Sequence, residues 1–141
     1  MELRMDQKMA SLPRTDDSKP NSPGRLLIVD DERAFAEYVG EVGSTMGYDV
    51  VVTDNAMDFM SSYRETRPTT LVLDIIMPGV DGVELIGWLA QQKCTSKIVI
   101  VTGFNARYVE LAENLGEAHG LAHIQSLTKP VKLSVLRDAL S

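Results

Sequence analysis

Four apolar runs punctuate the chain: LLIV at 26–29, LVL at 71–73, IVIV at 98–101 and a stretch ending at Leu127. They are short, rich in β-branched residues and without polar alternation, the pattern of strands covered on both faces of a parallel sheet. A fifth run, Val50–Thr53, is also strand-like. Between the runs the period changes. Phe35, Val39, Val42 and Met46 recur at helical spacing with Glu37 and Glu41 on the opposite face, and Gly47 stands where a left-handed residue would end that helix. Asp54 or Asn55 is placed to cap a second helix that carries Ala56, Phe59, Met60 and Tyr63 inward, and Pro68 closes it.

The second half repeats the scheme. A loop, MPGVDG at 77–82, leads into a helix from Val83 to about Gln92, followed by a strand at 97–102. A helix from about Ala106 to Leu115 is expected to break at Gly116 and Gly120 before a fifth strand near 121–128. The last helix is expected over Val131–Leu140, with Leu133, Leu136 and Leu140 as its buried stripe. Five βα units joined by short loops predict an α/β fold, a single doubly wound parallel sheet with helices on both faces.

The chemistry-bearing residues fall at the ends of the runs. LLIV ends on Asp30 and Asp31, LVL on Asp74, IVIV on Thr102, and the last on Lys129-Pro130. In an open α/β sheet, ligands sit outside the carboxyl ends of the strands. Three carboxylates, a hydroxyl and an ammonium therefore converge on one edge. Taken singly, Asp31 reads as a helix cap, Thr102 as a turn residue and Lys129 as a solvated cation; their joint placement points to chemistry. The carboxylates would repel one another without a cation between them, and Mg²⁺ takes carboxylate, carbonyl and phosphate oxygens. One aspartate is then free to attack phosphorus as a nucleophile. Lys129 and Thr102 are placed to balance charge on the transferred group. Pro130 favours extended backbone at Lys129.

Composition narrows the class. The chain has 141 residues, 44% hydrophobic and 24% charged, with a formal net charge of −6, enough for one domain with a real core. Residues 1–24 hold three of the six prolines, little apolar content and balanced charge, so they read as a flexible leader, and the folded unit is expected over 25–141. The acidic excess, without a Lys/Arg cluster, argues against direct nucleic-acid binding. No apolar stretch approaches membrane-spanning length, and MELRMDQKMASLPR lacks a signal-peptide core. The single Cys94 fits a reducing compartment, and the protein reads as cytoplasmic. Met57, Met60 and Met77 read as core filler, Trp88 as packing or half-exposed surface, and His119 and His123 receive no role.

LLIVDDE, LVLDIIMPGVDGVEL, VIVTG and LTKP together resemble the receiver domain of two-component response regulators across residues 25–141. The resemblance implies a flavodoxin-like strand order 2-1-3-4-5, with Asp74 as phosphoacceptor. It implies Mg²⁺ held directly by Asp31, mainly through water by Asp30, and by Asp74 and the Ile76 backbone carbonyl. Thr102 corresponds to the switch hydroxyl and Lys129 to the phosphoryl-contacting lysine, while Met77-Pro78 and Asp81-Gly82 shape the loop after the acceptor. The implied donor is a phosphohistidine on a sensor histidine kinase or a histidine phosphotransfer protein. Apart from self-phosphorylation and slow autodephosphorylation, no enzyme activity is implied. The output partner or domain would be met by the face of the fourth helix, fifth strand and fifth helix, with homodimerisation left open.

Three other readings are weighed beside it. The receiver could control a catalytic domain in a longer protein, since GLAHIQSLTKP is similar to receivers that precede cyclic-di-GMP phosphodiesterase domains. It could act as a phosphate-independent interaction module, which the full acceptor set disfavours. A haloacid-dehalogenase-type hydrolase would need an Asp-x-Asp pair, and Asp74 is followed by Ile75-Ile76.

Two departures carry consequences. The family's aromatic position three residues before the lysine is Ser126, so the usual coupling between the threonine and an inward-moving ring is expected to be altered. Two residues past the acceptor and past Thr102 stand Ile76 and Phe104, bulky apolar groups at positions that, by the resemblance to receivers, border the path of hydrolytic water. Slow self-dephosphorylation is expected, and replacing both with small polar residues should shorten the phosphoryl half-life; an unchanged half-life would refute the shielding.

Overall fold

The computed structural model describes residues 24–77, 79, 82–103, 106–121 and 123–141. The leader expected over 1–24 lies outside it except for Gly24, as do Pro78 and Asp81 of the acceptor loop and Phe104. Ten elements alternate along the chain: β1 (Arg25–Val29), α1 (Arg33–Thr45), β2 (Asp49–Thr53), α2 (Ala56–Thr66), β3 (Thr70–Asp74), α3 (Gly82–Gln91), β4 (Lys97–Thr102), α4 (Ala106–Ala118), β5 (Ile124–Thr128) and α5 (Leu133–Leu140). The strands form one sheet in the order β2-β1-β3-β4-β5, parallel at every pairing. This is the doubly wound fold expected from the apolar runs.

The runs are unbroken because both faces of the sheet are covered. Leu27, Val29, Leu71, Leu73, Ile98 and Ile100 point to one side and pack with Phe59, Leu85, Ile86 and Leu89 of α2 and α3. Their neighbours Leu26, Ile28, Val72, Val99 and Val101 point to the other, against Val39 and Val42 of α1 and Leu136, Ala139 and Leu140 of α5. The two-residue side-chain period of a strand thus splits each run between two cores.

Local signals act where the sequence places them. Gly47 adopts φ +95, and the Tyr48 and Gly47 amides donate back to the Gly43 and Ser44 carbonyls, the paired bonds of a Schellman helix end. Asn55 caps α2 by accepting from the Asp58 amide. Trp88 packs edge-on against Phe59 and Tyr63 with the Arg64 guanidinium 5.3 Å from its ring centre. Among the described residues, no helix is long and apolar enough to cross a membrane.

Several expectations are corrected. Gly116 does not break α4, which runs on to Ala118. A β-carbon there would lie 2.2 Å from Ile124 Cδ1, so glycine lets the helix approach β5, and the turn is made at Gly120 with φ +89. The fifth strand is correspondingly shorter than 121–128, beginning at Ile124. Met57 is no core filler: it is 78% exposed, one position past Ala56 and so off the face that Ala56, Phe59, Met60 and Tyr63 turn inward. Met60 is half-buried and Met77 buried. Leu133 opens α5 and is 51% exposed, and the buried stripe is Leu136, Ala139 and Leu140. Leu136→Ala should therefore cost about 2–5 kcal/mol and Leu133→Ala under about 1 kcal/mol. Urea midpoints compare the two, and equal losses would contradict the corrected stripe.

Candidate functional site

Parallel strands of matched length end together, and their ends carry the site. Val29 is paired with Leu73, Asp74 with Val101 and Thr102 with Thr128. The residues just beyond each strand are tied to their neighbours as well. The Asp30 amide donates to the Thr53 carbonyl at 3.2 Å and the Lys129 amide to the Thr102 carbonyl at 2.8 Å. The Lys129-Pro130 peptide is cis, just past the end of β5.

Asp30, Asp74 and Thr102 are buried, whereas Asp31 is exposed. One oxygen of Asp30 accepts from the Glu32 amide at 2.8 Å, and the other meets Lys129 Nζ at 2.9 Å. Asp74 accepts from the Ile76 amide at 3.2 Å, and its second oxygen stands 3.8 Å from Lys129 Nζ. The ammonium also binds Glu32 Oε1 at 2.9 Å and lies 4.6 Å from the centre of the Phe35 ring. Lys129 thus sits among three carboxylates over an aromatic floor.

Each Asp30, Asp31 and Asp74 carboxylate offers an oxygen within 4.8 Å of the others. Three hard oxygen donors this close, open to solvent at Asp31, suit a divalent cation that keeps some of its waters. Asp31, Glu32, Asp74, Ile76, Thr102, Gly103 and Lys129 line a pocket of about 190 Å³. Acceptor, candidate ligands, hydroxyl and lysine from the sequence reading therefore meet, with Asp30 as the buried floor. Ile76 reaches the site through its amide and by lining the pocket.

Two partners were not assigned from the sequence. Glu32 follows the aspartate pair directly, and an acid beside a strand-end cluster was its only signal. Phe35 was placed in the inward stripe of α1, where its contact with a lysine 94 positions away leaves no local trace. The capping reading of Asp31 is not realised: Glu32 holds the cap position of α1 and makes no side-chain capping bond.

The electrostatics follow from burial. Burial pushes the Asp74 carboxyl up to about 7, with the Asp30 charge adding to the rise, while the Ile76 amide and Lys129 oppose it. Burial lowers Lys129, but its bonds to Asp30 and Glu32 and the charges of Asp30 and Asp74 outweigh that, leaving it above an ordinary lysine.

Residues 26–141 match the response regulator receiver domain family. Sporulation initiation phosphotransferase F of Bacillus subtilis is 25% identical over 116 residues, covering 82% of this chain and 90% of the relative. Protein-glutamate methylesterase/protein-glutamine glutaminase 5 of Myxococcus xanthus is 32% identical over 119 residues, covering 82% of this chain but 33% of that protein. In structure, the signal receiver domain of an HD domain-containing protein from Pseudomonas fluorescens Pf-5 superposes with a TM-score of 0.73 at 21% identity, covering 84% of this chain and 91% of that one. That likeness concerns the fold.

A raised Asp74 has a stability consequence with a definite sign. Its folded value of about 7 exceeds the ordinary 3.8, so its contribution is most favourable below pH about 4 and is lost as pH rises through 7. In metal-free protein, Asp74→Asn should raise the Tm at pH 8 by roughly 3–6 °C, with the difference shrinking toward pH 4. A pH-independent difference in thermal melts would contradict this origin.

Proposed function

The chain belongs to the response regulator receiver domain family, and from that premise we propose that it accepts a phosphoryl group on Asp74 and changes conformation in response. The phosphoacceptor unit is residues 25–141. The observation that carries the reading is the single Lys129 ammonium lodged between Asp30 and Asp74 at the strand ends.

An Asp74 carboxylate oxygen attacks phosphorus, and the bond from phosphorus to the donor atom breaks with its electron pair going to the donor. Lys129, already 3.8 Å from Asp74, moves onto a phosphoryl oxygen, and the Thr102 hydroxyl donates to another. Asp30, Asp31, Asp74 and the Ile76 carbonyl would hold Mg²⁺, which supplies charge neutralisation for the carboxylates and the incoming group. Burial of Asp74 keeps bulk water off the acyl phosphate, and Ile76 at the pocket rim adds to that shielding. The chain acts as acceptor and switch, with no further catalytic turnover.

The donor would be a phosphohistidine on a sensor kinase or phosphotransfer protein. Movement of Thr102 and Lys129 would be felt by the segments that follow β4 and β5. Exposed Leu111 on α4 with Leu133 and Val135 on α5 supplies apolar contact area for an output partner on the α4-β5-α5 face. Ser126 on β5 is half-buried opposite Ile100, so output coupling at this position proceeds without an aromatic ring.

One observation favours a second reading. The chain spans only 33% of the Myxococcus methylesterase relative. A receiver that controls an attached catalytic domain is the corresponding proposal.

Incubation with Mg²⁺ and acetyl phosphate should add one phosphoryl group by intact mass. Asp74→Asn or omission of Mg²⁺ should abolish the gain, and Lys129→Ala should slow it at least about tenfold. A phosphoryl group retained in Asp74→Asn would overturn the assignment.

A further inference from the structure

We propose that Glu32 determines which phosphoryl donors the site accepts, disfavouring dianionic acyl phosphates relative to the monoanionic phosphoramidate zwitterion. This rests on the reading of Asp74 as the acceptor.

Glu32 lines the same pocket as Asp74 and Thr102, yet it stands outside the cluster of Asp30, Asp31 and Asp74 that could share a cation. Among the described residues its ion-pair partner is Lys129. That ammonium is divided, at 2.9 Å from Glu32 and 2.9 Å from Asp30. An incoming phosphoryl group needs the same ammonium. As Lys129 turns toward it, Glu32 loses that ion pair and leaves a negative charge on the wall of the pocket that receives the donor.

Repulsion grows with the charge of the donor. Acetyl phosphate arrives as a dianion: Asp74 forms the new P–O bond, the bridging P–O bond breaks, and its electron pair leaves on acetate. Phosphoramidate arrives as a zwitterionic monoanion: the P–N bond breaks and the nitrogen, already protonated, leaves with the electron pair as ammonia. Glu32 penalises the first more than the second.

Glu32 is not what holds the lysine in place. Its side chain is 61% exposed, whereas that of Lys129 is 15% exposed. A partner this exposed contributes little to anchoring. Asp30 at 2.9 Å and the Phe35 ring at 4.6 Å remain when the Glu32 charge is removed. Neutralising Glu32 should therefore free the ammonium for the phosphoryl group without displacing it.

The test measures phosphorylation rates by intact mass with acetyl phosphate and with phosphoramidate in Mg²⁺, for wild type, Glu32→Gln, Glu32→Asp and a surface control, Glu37→Gln. Glu32→Gln should speed acetyl phosphate about three- to tenfold and phosphoramidate less than about twofold. Glu32→Asp, which keeps the charge, and Glu37→Gln should stay near wild type. Calorimetric titration should show Mg²⁺ affinity within about twofold of wild type for Glu32→Gln. Equal effects on both donors, or none, would overturn the proposal, and a tenfold loss of Mg²⁺ affinity would make Glu32 a ligand instead. A wild type that takes no phosphoryl group from either donor would instead overturn the reading of Asp74 on which it rests.

Discussion

Three aspartates brought together at the ends of neighbouring strands are the constraint around which the site is organised. Burying carboxylates in company is costly unless charge or hydrogen bonds compensate. Here the compensation is partial. Lys129 meets Asp30 closely and Asp74 at longer range, and backbone amides serve one oxygen of each. Asp74 is left with its carboxyl raised to about 7. A site in this condition gains stability from added positive charge.

The fold places that cluster without committing loop flexibility to it. Parallel strands paired in register from β1 to β5 deliver Asp30, Asp74, Thr102 and Lys129 to one edge, and the two cores above and below the sheet keep the strands from shifting. Cover on both faces explains the unbroken apolar interiors of β1, β3 and β4, whereas β5, at the edge of the sheet, admits Gln125 and Ser126. The polar residues then appear together where the cover of helices stops.

Much of this was legible from the residues because it depends on local periodicity. Strand runs, helix stripes, the Gly47 helix end and the Asn55 cap follow from rules that operate within one or two turns. So did the site, since a chemical residue at the end of an apolar run needs only the sheet to bring it into place. What escaped were contacts between distant segments. Gly116 looks like a helix breaker until Ile124 is seen against it. Leu133 looks like stripe until α5 is found to begin there. Glu32 and Phe35 become partners of Lys129 only once β5 and the start of α1 share an edge.

The account stands or falls on where the phosphoryl group is attached. Borohydride reduction of the phosphorylated protein converts an aspartyl phosphate to homoserine, and peptide mass mapping then reads the position. Homoserine at position 74 alone is the predicted result. Homoserine at Asp30 or Asp31, or none in protein shown by intact mass to carry the group, would contradict the assignment of Asp74 as acceptor.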